Sequence, residues 1–80
     1  MTKILKFEAA WCNPCKAASI YLDVNEIEYT AVDIDVEKEL AEKYGIMAIP
    51  TVVVLNDEER EVARFTGLPQ IQHMGEYDND

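Results

Sequence analysis

The sequence predicts one small α/β domain, in which a four-stranded mixed sheet is flanked by three helices. Three observations predict this class. Four short segments are rich in apolar and β-branched residues, a helix-like segment separates the first two, and a short polar turn separates the last two. A helical connection makes neighbouring strands parallel through a right-handed crossover, whereas a short turn makes them antiparallel. The predicted element order is βαβαββα.

The first three elements form a βαβ unit. We predict a strand over Ile4–Ala9, a helix over Pro14–Val24 and a second strand over Ile27–Ile34. The helix carries a wide apolar stripe that is suited to covering a sheet. The members of this stripe are Ala17, Ala18, Tyr21, Leu22 and Val24.

The first strand alternates, so that Leu5, Phe7 and Ala9 face one side of the sheet and Ile4, Lys6 and Glu8 face the other. Two charges on a central strand are unusual. We expect both charged heads to reach water near the end of the strand. The alternative is that Lys6 acts on the cysteines that follow the strand.

The second helix is predicted over Val36–Tyr44, with Asp35 as its N-cap. Gly45 is expected to follow the end of this helix in a left-handed conformation, which glycine adopts without strain. Two strands come next, over Thr51–Leu55 and Glu61–Phe65, and form an antiparallel hairpin.

The hairpin turn contains no glycine, and we expect Asn56 or Asp57 to supply any positive φ that it needs. A short last helix begins after Gly67. Its apolar contacts are predicted to be Leu68, Ile71 and Met74. We assign residues 1–75 to one domain and residues 76–80 to a disordered acidic tail.

Composition restricts the function. The chain has 80 residues, is 49% hydrophobic and carries a net charge of −9. The acidic charge argues against a nucleic-acid partner, which would require a basic face. No stretch approaches the roughly 18 apolar residues of a membrane span, and no secretory signal is visible. We therefore expect a cytoplasmic monomer that meets protein partners.

The only two cysteines lie in the segment Trp11-Cys12-Asn13-Pro14-Cys15-Lys16, between the first strand and the first helix. A helix N-terminus favours a thiolate, so the pKa of the Cys12 thiol is expected to be low. Cys15 lies one helical turn further on and can attack a mixed disulfide made by Cys12. Pro14 suits the first helical turn. A structural zinc half-site or two idle thiols are the alternatives, but zinc needs four ligands and the single histidine is remote in sequence.

Two motifs in register resemble those of the thioredoxin family. The first is W-C-x-P-C-K at the cysteines, and the second is Lys43-Tyr44-Gly45-Ile46 followed by Ile49-Pro50-Thr51. The segment Val32-Asp33-Ile34-Asp35 and Gly67 also fall where this family has similar residues. The resemblance covers about residues 4–67 and implies a minimal thioredoxin fold, in which the four strands of the mixed sheet lie in the order 2-1-3-4.

The resemblance implies a protein disulfide reductase in which Cys12 is the nucleophile and Cys15 the resolving thiol. Trp11 would shield the site, with Pro14 and Lys16 in support. Pro50 would be a cis proline facing the cysteines. The substrate-binding surface would comprise Met47, Ala48, Ile49, Pro50 and Gly67. Substrate recognition would then be mostly through the main chain at Ile49, hence broad.

The family resemblance also implies the partners. Electrons would come from a flavoprotein of the thioredoxin reductase kind, and the substrates would be protein disulfides, including a ribonucleotide reductase. No cofactor is expected besides the redox-active Cys12–Cys15 disulfide, and no metal.

The chain departs from the family at three positions. Asn13 replaces the usual glycine between the cysteines, where redox poise varies in this family. Lys6 occupies the place of a buried aspartate, and Ala31 that of its lysine partner. A carboxylate can take the proton of Cys15, but an ammonium cannot. We hypothesise that Lys6 instead lowers the pKa values of the thiols.

Other functions stay open at this stage. A glutaredoxin-like hydrogen donor for ribonucleotide reductase has a similar size, but the T-V-P motif and glycine pair typical of glutaredoxins are missing. A thiol oxidant or isomerase would need the opposite redox poise. A thioredoxin-fold interaction subunit would carry its thiols incidentally.

Overall fold

The computed structural model describes residues 2–74, so the predicted acidic tail lies outside the described residues. The predicted order of elements is confirmed. Its members are β1 (Lys3–Glu8), α1 (Asn13–Val24), β2 (Thr30–Asp33), α2 (Lys38–Lys43), β3 (Thr51–Leu55), β4 (Glu61–Thr66) and α3 (Leu68–Ile71).

The four strands form one mixed sheet in the predicted order β2-β1-β3-β4. β1 pairs in parallel with β2 and antiparallel with β3, and β3 pairs antiparallel with β4. β1 and β3 are therefore the central strands, and all five residues of β3 are buried. The run of β-branched residues from Thr51 to Val54 suits a strand that is covered on both faces.

Each face of the sheet carries its own apolar cluster. On one face, Leu5 and Phe7 pack with buried residues of β2 and β3 and with partly buried side chains in and after α2. On the other face, Ala18 and Leu22 of α1 pack against Val52 and the residues in and just after α3. The alternation predicted for β1 is thus confirmed for its apolar residues, because successive residues of a strand point to opposite faces.

The apolar contacts predicted for the short last helix are confirmed. Ile71 and Met74 are buried against α1 and β3, and Leu68 is partly buried beside them. Val24, in contrast, was predicted to belong to the apolar stripe of α1 but is 75% exposed. It is the last residue of that helix, and the buried positions of α1 are Cys15, Ala18 and Leu22.

The segment before α2 differs from the prediction. α2 begins at Lys38 rather than Val36, and Asp35 does not cap it. The backbone N–H groups of Val36 and Glu37 both donate to the Asp33 carbonyl, and the Asp33 carboxylate accepts a hydrogen bond from the Asp35 N–H. These local bonds form a turn, which delays the helix by two residues. β2 is also shorter than predicted, since pairing with β1 begins only at Thr30.

The hairpin turn takes its positive φ at Glu59 (60°), not at Asn56 or Asp57. The Asn56 side-chain oxygen accepts hydrogen bonds from the backbone N–H groups of Glu58 and Arg60, both at 2.9 Å. Asn56 therefore organises the turn from its first position and leaves the left-handed conformation to a later residue.

Arg64 ties the second half of the sheet to the end of α2. Its guanidinium donates to the Tyr44 carbonyl oxygen at 2.5 Å and to the Glu61 carboxylate at 2.8 Å. The hydrogen bond from Arg64 holds the pKa of Glu61 below its ordinary value. Both side chains are about one third exposed, so the pair contributes little to stability.

Gly45 ends α2 as predicted, with φ at 61°. Its N–H donates to the Glu42 carbonyl at 3.0 Å, and the Ile46 N–H donates to the Ala41 carbonyl at 2.9 Å. This pair of bonds is the Schellman motif, which satisfies carbonyls that the helix end leaves unpaired.

We predict that Gly45→Ala lowers the free energy of unfolding by about 1 kcal/mol, because an L-residue is strained in the left-handed conformation. A Cβ added at Gly45 would meet no atom within 4 Å, so the cost is confined to the backbone. Gly45→Asn is the matched control, and should lose less because asparagine tolerates this conformation. Urea unfolding checks both variants. Equal midpoints for Gly45→Ala and the parent chain would contradict the prediction.

Candidate active site

Cys12 and Cys15 lie where β1 gives way to α1, and they form a disulfide with their Cα atoms 5.2 Å apart. Cys12 is the N-cap of α1. Its sulfur accepts a hydrogen bond from the Cys15 backbone N–H at 3.1 Å. A cysteine here takes the place of the usual serine, threonine or aspartate cap. One backbone N–H of the first helical turn, that of Cys15, therefore points at a sulfur atom.

The two cysteines are almost fully covered. Cys12 is 5% exposed and Cys15 is 2% exposed. They form a small cluster with buried Ala9, against which Ile34 and Ile49 pack. The solvent-exposed surface near the disulfide is therefore formed by neighbouring segments of the chain, not by the two sulfur atoms.

The loop before β3 lies against the cysteines through Ile49. The Ile49–Pro50 peptide bond is cis, which is the geometry that the family resemblance implies. Two hydrogen bonds hold this loop: the Thr51 hydroxyl donates to the Ala48 carbonyl at 2.7 Å, and the Gly67 N–H donates to the Pro50 carbonyl at 2.8 Å.

Apolar residues of this loop, and of the segment just before Cys12, are exposed. Met47 is 98% exposed and Ala48 is also exposed, although Pro50 is buried. Trp11, next to Cys12, is 67% exposed. We name Trp11, Met47, Ala48 and Ile49 the apolar rim.

The Trp11 ring is held by a residue that sequence analysis assigned to another role. Its indole Nε1–H donates to the Asp35 carboxylate at 2.9 Å. Asp35 lies in the turn between β2 and α2, so the bond joins two segments that are 24 residues apart. The signal that could have identified it is the position of Asp35 just beyond β2, the strand parallel to β1, because parallel strands end at the same edge.

Lys6 corrects a sequence expectation. We expected its charged head to reach water, but the residue is fully buried. Its Nζ donates to the Glu8 carboxylate and, at 2.5 Å, to the Ser19 hydroxyl. The Tyr29 ring centroid lies 5.6 Å from the same ammonium. The burial follows from the position of β1 in the middle of the sheet and from α1 packing across it, and the partners compensate the charge.

A small pocket of about 170 Å³ connects Lys6 with Cys15. We name it the Lys6 pocket, and its lining residues are Lys6, Glu8, Ala9, Ala10, Cys15, Lys16 and Ser19. Glu8 and Ser19 were not identified from the sequence as site residues. Lys16, which was, is exposed and lines the same pocket. The sequence feature that could have indicated this pocket is the pair of charged residues on β1, Lys6 and Glu8.

Within residues 2–74, no group of three or more histidine, cysteine, aspartate or glutamate side chains is placed to hold a metal ion. In the same part of the chain, no helix has both the length and the apolar character that crossing a membrane requires.

The thioredoxin family model matches residues 1–77. The chain belongs to the thioredoxin family. It is 38% identical over 65 residues to the thioredoxin-like protein YosR derived from the SPbeta prophage of Bacillus subtilis, covering 81% of each chain. It is 39% identical over 59 residues to Bacillus subtilis thioredoxin. That match covers 66% of this chain but only 57% of the relative.

Solved thioredoxin structures share the fold. A variant thioredoxin from Halobacterium salinarum gives a TM-score of 0.82 at 25% identity, with 95% of this chain and 70% of that chain covered. Reduced thioredoxin from Schistosoma mansoni gives a TM-score of 0.80 at 29% identity, with 95% and 74% covered. This thioredoxin-family chain therefore spans only about 70% to 74% of the length of these two solved thioredoxins. Its family membership and its paired cysteines support thiol–disulfide oxidoreductase activity.

Proposed function

We propose that the chain reduces protein disulfides, with Cys12 as the nucleophile and Cys15 as the resolving thiol. The observation that carries the proposal is the position of Cys12 as the N-cap of α1, where its sulfur accepts the Cys15 N–H. Hydrogen bonding to an anion and the positive end of a helix both favour the thiolate over the thiol. These are the conditions that activate a cysteine for thiol–disulfide exchange.

The reaction balances as two exchanges. The Cys12 thiolate attacks one sulfur of the substrate disulfide, which forms a mixed disulfide and releases the first substrate thiolate. Cys15 then loses its proton and attacks the Cys12 sulfur, so that the Cys12–Cys15 bond forms and the second substrate thiolate leaves. The dithiol is oxidised by two electrons, and the substrate disulfide is reduced by two.

The apolar rim would receive the substrate. Met47 and Ala48 are exposed in the cis-proline loop, which packs on the cysteines through Ile49, and Trp11, which directly precedes Cys12 in the chain, is exposed as well. An extended substrate segment would bind the main chain at Ile49, and Gly67 braces the loop through its bond to Pro50. Main-chain recognition depends on the backbone of the substrate rather than on its side chains, so we expect a broad range of protein substrates.

The dithiol must be restored by an electron donor. Thioredoxins in general are reduced by thioredoxin reductase, and we propose a flavoprotein of that kind for this chain. A ribonucleotide reductase is among the proposed substrates. We propose that the protein acts as a cytoplasmic monomer, with no cofactor besides its redox-active disulfide.

We predict that Cys15→Ser accumulates a mixed disulfide with a disulfide-containing substrate such as insulin. The variant can attack through Cys12 but lacks the thiol that resolves the product. Mass spectrometry of the unreduced reaction detects the adduct. Cys12→Ser is the matched control, and should neither form an adduct nor reduce insulin. An adduct on Cys15 in the Cys12→Ser chain, with none on Cys12 in the other, would reverse the assigned roles.

We expect the Cys12–Cys15 pair to have a reduction potential of roughly −270 mV, at the reducing end of the range for protein dithiol–disulfide pairs. Equilibration against a dithiol–disulfide buffer, with both redox states quantified, measures the potential. A value towards the oxidising end, roughly −120 mV, would identify an oxidant or isomerase instead. Full biological activity of Cys12→Ser would identify an interaction subunit with incidental thiols.

We predict that Met47→Glu raises the KM for a protein disulfide roughly fivefold with little change in kcat, because an apolar contact at the rim of an interface contributes on the order of 1 kcal/mol. Val24→Glu is the matched control. Val24 is similarly exposed but lies at the opposite end of α1 from the cysteines. Steady-state reduction of insulin measures both constants. Equal KM values for the two variants would exclude Met47 from the docking surface.

A further inference from the structure

The burial of Cys15 poses a proton-transfer problem. Its side chain is 2% exposed, yet its thiol must lose a proton before it can attack the mixed disulfide. A covered thiol has little direct contact with bulk water that could remove this proton. Resolution therefore depends on a proton acceptor within reach of Cys15.

The Lys6 pocket adjoins Cys15 and contains one carboxylate, that of Glu8. At about 170 Å³, the pocket has room for several water molecules, each of which needs only about 10–15 Å³ of such volume. The Glu8 side chain is 29% exposed, so it touches both the pocket and the solvent. Its carboxylate stands on a route by which a proton can leave.

Lys6 fixes the position of this carboxylate. The Lys6 side chain is 1% exposed, and its ammonium donates to the Glu8 carboxylate and to the Ser19 hydroxyl. A buried ammonium is stable only with such partners, so the interaction constrains both ends. The Lys6–Glu8 pair has no net charge, and the effect of Lys6 on the thiols is therefore partly offset by Glu8.

We propose that Glu8 accepts the proton of Cys15 when the disulfide closes, and relays a proton back to Cys15 when the disulfide is reduced, with Lys6 as its positioning residue. This inference rests on the proposed function, in which Cys15 is the resolving thiol. It also replaces the hypothesis that Lys6 acts alone through its charge.

The proton step balances within the exchange reaction. The Cys15 S–H bond breaks, and the proton passes directly or through pocket water to a Glu8 carboxylate oxygen. The Cys15 thiolate then forms the bond to the Cys12 sulfur, and the substrate thiolate leaves with the electron pair of the broken disulfide. Because a carboxylic acid is a stronger acid than a thiol, Glu8 holds the proton briefly and passes it to solvent or to the leaving thiolate.

The other charged or titratable groups around Glu8 are less suited to accept the proton of Cys15. Asp33 is its neighbour in register on β2, but the Asp33 carboxylate accepts the Asp35 N–H in its own turn. Lys16 lines the pocket from α1, and as a cation it stabilises a thiolate but cannot accept a proton. Tyr29 approaches the Lys6 ammonium with its ring face. The β3 residue that pairs with Lys6 is the apolar Val52.

The test measures the two thiols separately. The reduced protein is mixed with an aromatic disulfide, dithiobis(nitrobenzoate), in a stopped-flow instrument. Attack by the first thiol releases one coloured thiolate, and closure by Cys15 releases the second. We expect Glu8→Gln to slow the second phase roughly ten- to hundredfold at neutral pH, and to leave the first phase unchanged. The difference should vanish at alkaline pH, where hydroxide forms the thiolate without Glu8.

Controls separate this role from other effects of the substitution. Glu58→Gln removes the same charge from the exposed hairpin turn and should leave both phases as in the parent chain. Lys6→Met should slow the second phase, and the double variant should be no slower than Glu8→Gln alone, because the two residues act as a unit.

Three results would overturn the proposal. A faster second phase in Glu8→Gln would mean that an unopposed Lys6 charge governs the thiol. An equal slowing at every pH would mean that the substitution only disturbs the structure. An unchanged second phase would remove Glu8 from the reaction while leaving the proposed function intact, whereas a parent chain that releases no second thiolate would contradict the proposed function itself.

Discussion

The hydrogen bond from the Cys15 N–H to the Cys12 sulfur joins the fold to its chemistry. It exists because β1 ends at Glu8 and α1 begins at Asn13, so a cysteine occupies the N-cap position. The central position of β1 fixes this junction at one edge of the sheet, and the parallel partner β2 brings the following turn to the same edge. Displacing α1 by one residue would give the cap to a neighbour and remove the donor from the sulfur.

The same junction explains why charged residues occupy the core. β1 needs apolar side chains towards α2, which Leu5 and Phe7 supply, but its other face lies beneath the start of α1. There Lys6 meets Ser19 of the helix and Glu8 of its own strand. An apolar residue at position 6 would pack with less desolvation cost. A buried ion pair is thus poor evidence for stability. The position of this pair beside Cys15 is better explained by the proposed proton transfer.

The sequence predicted the elements whose signals are local. The β-branched run of β3 and the glycine after α2 each specify one conformation, and the hydrogen bonds of Gly45 agree with this. The cysteine and proline motifs located the site because they identified a family. What could not be predicted depends on partners distant in the chain. The burial of Lys6 requires Ser19, 13 residues away, and the contact of Trp11 with Asp35 spans 24 residues. The turn before α2 was missed because Asp33, rather than Asp35, organises it.

The charge of the chain and its apolar rim act at different ranges. A net charge of −9 on 80 residues produces a field that extends over about one Debye length, roughly 8–10 Å, and influences which partners approach and how fast. Under the proposed function, contact would then be made through Trp11 and Met47, which are uncharged and exposed. Since the proposed apolar and main-chain contacts would discriminate weakly among disulfide substrates, selectivity among partners would depend on the long-range electrostatic field. If the chain reduces protein disulfides as proposed, its acidic charge would favour the approach of basic partners to a broadly reactive site.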